Sequence, residues 1–215
     1  MAEVNTAAGQ AEAAASNVWA KVITVAWMSI FLGVGIEFLL LAALALTAKV
    51  PSVGAVVADT AQKVSWAVFV CVGLALGNAA LKARPAVMGI LGLISAPLGF
   101  ATARSVHKGA LQALGLSSVA GGASPLLIGL LKGLEYGALG LVVGKLGRQG
   151  KGLGAYVTAG AVAGLTFGIL IVVLLTRAAP AAGAAAILPR AINEILFPMG
   201  CALVLYAAEA LTKRV

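Results

Sequence analysis

Residues 33–46, GVGIEFLLLAALAL, form an apolar run holding one carboxylate, Glu37, and residues 133–144, GLEYGALGLVVG, repeat that arrangement around Glu135. A charge at the centre of a membrane span costs about 2.5–3.5 kcal/mol on insertion scales, and such residues usually face a bundle interior and find partners there. Lys132 stands three residues before Glu135, on the same helical face and within pairing reach. The equivalent position before Glu37 is Val34. Glu37 must therefore pair with another helix, bind a cation or accept a proton. The chemistry expected of Glu37, Glu135 and Lys132 is cation or proton binding at membrane depth. The alternative is a structural ion pair through Lys132 that joins two helices.

Pro97 and Pro198 fall inside two further apolar runs, each two residues before a glycine. A proline in mid-helix frees the carbonyl four residues earlier and bends the chain; here those carbonyls belong to Leu93 and Glu194. At membrane depth, freed carbonyls are tolerated where they are packed in protein or line a cavity. Pro97 and Pro198 are thus candidate kink or gating points, with a plain packing kink as the alternative. Gly73 and Gly77 form a GxxxG pair, and Gly160, Gly164 and Gly168 a longer series at the same spacing. Such series let helix backbones approach closely, within a bundle or between protomers. Glu194 is expected at an interface, paired with Arg190, and Glu209 in solvent. His107, beside Lys108, is expected at an interface too. Trp19, Trp27 and Trp66 fit an interfacial aromatic belt. Cys71 and Cys201 are read as free thiols packed as small hydrophobes, without metal-ligand spacing.

The elements that must hold these side chains follow from composition. Apolar residues make up 61% of the 215 and charged residues 10%, with a mean hydropathy of +1.06. A soluble domain carries roughly 25% charged residues, so this chain lacks the polar surface to dissolve. Six apolar runs approach the roughly 20 residues that cross a bilayer: 22–46, 64–81, 85–103, 125–144, 155–175 and 192–208. In lipid the backbone must satisfy itself, which leaves helices or a closed barrel. Barrel strands would alternate in polarity over about ten residues, whereas these runs are continuous. The expected fold class is an all-α integral membrane protein of about six transmembrane helices, the third continuing through RSVHKGALQALG. A polar tail, 1–16, precedes a single membrane domain, 17–215. The tail does not read as a signal peptide, because no Lys or Arg precedes Lys21 and its Ala-rich stretch comes before the apolar run.

The two halves align as copies. GIEF at 35–38 matches GLEY at 133–136, VGLALG at 72–77 matches AGLTFG at 163–168, and APLGFA at 96–101 matches FPMGCA at 197–202, always in the same order. A unit of three helices, about 17–115, must start its second copy, about 122–215, from the opposite side of the membrane. That is a 3+3 inverted-topology repeat, an architecture shared by many transporters. Nine residues separate each glutamate from the end of its run, which at 1.5 Å per residue is roughly 13 Å. Both carboxylates are therefore expected near the bilayer midplane.

The net charge of +8 does not point to nucleic acid, since the basic residues stand at the ends of apolar runs, where they anchor helices and set orientation. Lys21, Lys82, Arg84, Lys145, Arg148, Lys151, Lys213 and Arg214 share the side of the termini. Lys49, Lys63, Arg104, Lys108, Arg177 and Arg190 lie opposite. Both termini are expected in the cytoplasm, and the membrane is expected to be a bacterial inner membrane. Enzyme signatures, cofactor motifs and metal-ligand clusters are absent from the sequence. The function expected is a small transporter or channel for a cation, a proton or a proton-coupled small solute, with its partners the lipid bilayer and that solute, and with homo-oligomerisation compatible. The alternative is a non-catalytic anchor or assembly subunit of a membrane complex. In outline the architecture is similar to small inverted-repeat transporters and channels.

Overall fold

Inside an apolar run the backbone has only itself to bond with, and the long runs of this chain close into helices. The computed structural model describes residues 2–47, 51–78, 84–117, 123–178 and 184–212. Among these residues the chain forms six α-helices: α1 (Ala2–Thr47), α2 (Val53–Gly77), α3 (Arg84–Ala113), α4 (Pro125–Arg148), α5 (Leu153–Ala178) and α6 (Ala184–Thr212). Each contains a stretch long and apolar enough to cross a membrane. Residues 2–16, expected as a polar tail, form the first part of α1. Lys49, Lys82, Lys213 and Arg214 lie outside the described residues.

Two helices start earlier than hydropathy suggests. The second begins at Val53, not at residue 64, with the Ser52 hydroxyl accepting from the Ala55 N–H at its N-terminus. The sixth begins at Ala184, not at residue 192. Polar residues interrupted the apolar runs: Asp59, Gln62 and Lys63 in α2, and Arg190, Asn193 and Glu194 in α6. Each set is spaced i, i+3, i+4 and so lies on one helical face. The helix continues while only that face changes character. At their far ends α3 and α4 are terminated by glycines in the left-handed region, Gly115 (φ 66°) and Gly150 (φ 64°). The Leu116 N–H returns to the Leu111 carbonyl and the Lys151 N–H to that of Leu146, which closes each helix in a Schellman turn.

Successive helices pack as neighbours, and α6 returns against α1 and also reaches α2 and α4. Close approach is bought by glycine. A side chain on Gly77 would meet the Met88 backbone of α3, and one on Gly73 would meet Ser95. Gly160, Gly164 and Gly168 stand against Met199, Ile195 and Glu194 of α6. These two glycine series therefore serve packing within the protein. The tightest seam lies elsewhere, between α3 and α4, where Gly92 abuts the Tyr136 backbone, Gly140 that of Met88 and Gly144 that of Pro85. Glycines recur at 133, 137, 140 and 144, every three or four residues, so this seam is visible in the sequence once sought.

The core beside that seam is aromatic. Trp66 is buried, edge-on to Tyr136 (5.5 Å between ring centres) and to Phe100 (6.4 Å). It is thus no member of an interfacial belt, because Lys63 and the turns before it belong to the helix and carry Trp66 inward. Trp19 and Trp27 are exposed on α1. Cys71 of α2 and Cys201 of α6 are free thiols, fully buried, with Sγ atoms 2.9 Å apart.

Candidate functional site: a charged cavity within the bundle

The two polar faces that interrupt α2 and α6 border one cavity of about 280 Å³. Both helices begin at the end of the bundle that carries the α1–α2 connection, and Pro51 from that connection is among the lining residues. Asp59 and Arg190, at the heads of the two faces, therefore lie nearest that end. Lys63 and Glu194 follow one turn deeper, four residues or roughly 6 Å along each axis. Glu37 of α1 and Lys132 of α4 complete the charged lining, and Trp66, Phe100 and Phe197 supply apolar walls.

Glu37 finds its partner across helices. Its Oε2 lies 2.5 Å from the Lys63 Nζ of α2. Lys63 had been placed outside the membrane as an orienting charge; the earlier start of α2 turns it into a cavity residue. Lys132 donates to Glu135 Oε2 at 2.8 Å and also meets Glu194 Oε2 of α6. Glu194 is thus joined to α4, not to Arg190 at an interface. The Lys132 ammonium also stands 5.7 Å from the ring centres of both Trp66 and Tyr136. One lysine therefore serves two carboxylates and two aromatic rings. Glu135 is 0% exposed and lies behind Lys132 without lining the cavity. Glu37 is 5% exposed and does line it. The two glutamates of the matched segments GIEF and GLEY thus differ in setting, Glu37 lining the cavity and Glu135 lying behind it.

Pro97 and Pro198 lie inside α3 and α6 but line no part of this cavity. A Cβ on Gly133 would come 2.9 Å from the freed Leu93 carbonyl oxygen, and one on Gly168 would come 3.2 Å from that of Glu194. Both carbonyls thus face a glycine of the neighbouring helix, where the two helices pack closely.

The opposite end of the bundle holds a second ionic cluster. Arg84, at the head of α3, grips Glu209 near the end of α6, with Nη2 to Oε2 at 2.5 Å and Nη1 to Oε1 at 3.4 Å. The Tyr156 hydroxyl donates to the same carboxylate at 3.3 Å. Gly147 of α4 packs against the Arg84 guanidinium. Glu209 is therefore buried and paired, not solvated, because the bundle brings α3 and α6 together there. At the cavity end, His107 Nε2 lies 3.0 Å from Asp59 Oδ1, so its partner is an α2 residue distant in sequence.

Reasoning along the chain missed Lys63, Asp59, Asn193 and the Arg84–Glu209 pair. The available signal was the shared pattern of DTAQK and RAINE: charge, amide and opposite charge at i, i+3 and i+4, with the signs reversed between α2 and α6. Comparison with protein-family models, curated proteins and solved structures finds no match.

Proposed function

We propose that the protein is a small integral membrane transporter or channel that passes a cation, a proton or a proton-coupled small solute through this cavity. The observation that carries the proposal is a charged cavity at one end of the bundle and an ionic cluster that ties helices together at the other. A cavity lined by Glu37, Lys63, Lys132 and Glu194 reaches one end of the bundle, and the Arg84–Glu209–Tyr156 cluster closes helices together at the other. Ionisable groups within spans usually mark such pathways. The Glu135–Lys132–Glu194 group carries two acids for one base, a surplus negative charge that desolvation disfavours unless a proton or cation accompanies it.

An assembly subunit that used its glutamates to bind a partner would present them on an outer face. Glu37 and Glu135 instead point inward, and the outer faces carry apolar residues such as Phe31, Phe38 and Leu126, suited to lipid. The inverted repeat draws support from register. Gly73 of α2 meets Ser95 of α3, and its counterpart Gly164 meets Ile195, one residue from the position equivalent to Ser95. The α1–α6 contact departs from two-fold symmetry: among the described residues nothing would lie within 4 Å of a Cβ on Gly35, whereas its counterpart Gly133 is packed against Leu93 and Pro97. With Lys63 and Arg190 both lining the cavity, eight basic residues share the terminal side against four opposite, which favours cytoplasmic termini in an inner membrane.

Proteoliposomes under an imposed pH gradient test the proposal. Flux should depend on pH, and Glu37→Gln and Glu135→Gln should each abolish it. Undiminished flux in both variants overturns the site.

A further inference from the structure

Resting on the transport proposal, we infer that the solute is a small organic molecule bearing an ammonium group, held with that group at the cavity floor. Size is the first argument. A bare ion or one water needs about 10–15 Å³ of such space, whereas this cavity offers about 280 Å³, the scale of a small-molecule site. A dehydrated metal ion would leave most of it unfilled.

The floor selects for positive charge. Each lysine there is already committed: Lys63 to Glu37, and Lys132 to Glu135 and Glu194 together. One carboxylate is left over after these pairings. Among the described residues the acceptor Asn193 Oδ1 has no hydrogen-bond partner, and Asn193 stands beside Glu194 in the lining. Unused acceptors call for a donor, and an ammonium has N–H donors without acceptors. The walls fit the same group, because aromatic faces attract cations and Trp66, Phe100 and Phe197 all line the space. Lys132 shows the chemistry within the chain itself, an ammonium held by two carboxylates and standing by two aromatic rings.

The end nearer the α1–α2 connection presents the reverse sign. Arg190 is exposed there, and among the described residues it has no ion-pair partner. A solute carrying a carboxylate opposite its ammonium would gain a contact with Arg190 that a plain amine would lack. The shared requirement is the ammonium.

Binding to the purified full-length chain can be read from Trp66 fluorescence in a Trp19→Phe/Trp27→Phe background, both of those residues being exposed on α1. The probes are n-butylammonium, γ-aminobutyrate, butyrate and n-butanol at matched ionic strength. The ammonium probes should change the signal saturably, while butyrate and butanol should not. Glu194→Gln should weaken the ammonium probes at least roughly tenfold, as expected for a lost charged hydrogen bond. Lys132 keeps Glu135 in that variant. Asn193→Leu gives a second test without altering charge and should weaken them several-fold. Arg190→Ala should weaken γ-aminobutyrate more than n-butylammonium if the amino acid binds. Butyrate binding as tightly as n-butylammonium, or saturable binding by no probe, overturns the ammonium assignment. Flux that persists without ammonium binding removes only this solute class, whereas ammonium binding without any flux removes transport and leaves the site.

Discussion

Lys132→Met should be among the most damaging single substitutions in the bundle, and its cost can be worked from the burial of the partners left behind. The lysine is 4% exposed and meets Glu135 and Glu194. Removing one partner of a buried pair costs about 3–5 kcal/mol, because the remaining charge is left uncompensated. Glu135 should account for most of this, being 0% exposed. Glu194 should contribute less, since its side chain is 12% exposed and borders the cavity, where solvent screens it. At about 1.4 kcal/mol per factor of ten, the unfolding equilibrium should shift more than a hundredfold. Glu135→Gln alone should cost about 1 kcal/mol or less, because a glutamine still accepts from Lys132 and Lys132 keeps Glu194. The double variant should recover most of the stability lost by Lys132→Met, with a coupling of about 2–3 kcal/mol. Unfolding by added SDS in mixed micelles, followed by far-ultraviolet circular dichroism, measures all four proteins. A Lys132→Met protein as stable as the parent, or a double variant that falls as far as the single one, would refute the surplus-acid account.

Other tests address packing and topology. Gly92→Ala should destabilise by about 1–3 kcal/mol, since its methyl would press on the Tyr136 backbone, whereas Gly35→Ala, with open space around it, should be neutral or stabilise by up to about 1 kcal/mol; the same SDS titration compares them. Oxidation with diamide should join Cys71 to Cys201, each thiol giving up one proton and one electron as the diazene is reduced to a hydrazine. After cleavage at a protease site inserted between α3 and α4, the two halves should then migrate together without reductant, and separate migration would contradict the α2–α6 contact. In a Cys71→Ala/Cys201→Ala background, Ser52→Cys and Gln149→Cys should label with an impermeant maleimide from opposite sides of the membrane, and labelling from one side would mean that the helix count is wrong.

The helices were legible because hydropathy is a property of each residue and sums along the chain. The pairings were legible only where both partners share a helix, as Lys132 and Glu135 do. Lys63 for Glu37, Glu194 for Lys132 and Glu209 for Arg84 come from other helices, and no local spacing identifies such partners. Lys63 was further hidden by its own effect on hydropathy, since the polar face that makes it useful also cut the apolar run short. Trp66 was misplaced for the same reason, standing near the start of a run that had been drawn too short.

The matched segments pointed to Glu37 and Glu135 but could not divide their roles, because the charges around the two glutamates are not matched. Shifting by the offsets of the aligned segments, Lys132 corresponds to Val34 (132 − 98), Lys63 to Gly154 (63 + 91) and Glu194 to Leu93 (194 − 101). Every partner of a matched glutamate thus falls opposite a residue that cannot pair. A two-fold scaffold with symmetric charges would place equivalent sites toward both faces. Here the polar faces of α2 and α6 both sit at one end, and the Arg84–Glu209 contact stands at the other. The four-spaced glycines of α2 and α5 are the packing feature the two halves share, whereas the α3–α4 seam has no counterpart at Gly35. The charged residues differ between the halves, and both polar faces lie at one end of the bundle. Grafting a lysine at Val34 should therefore not create a second Lys132. Val34 lies in α1, whose neighbour α6 packs Gly200 against Leu32 two residues before it, and the α6 sequence around Gly200, FPMGCALV, holds no glutamate. Val34→Lys should lower stability in the SDS titration by about 2.5–3.5 kcal/mol, the cost of an uncompensated charge in a span. A Val34→Lys protein as stable as the parent would show that Glu37 can hold a second lysine and that the asymmetry of the charges is incidental.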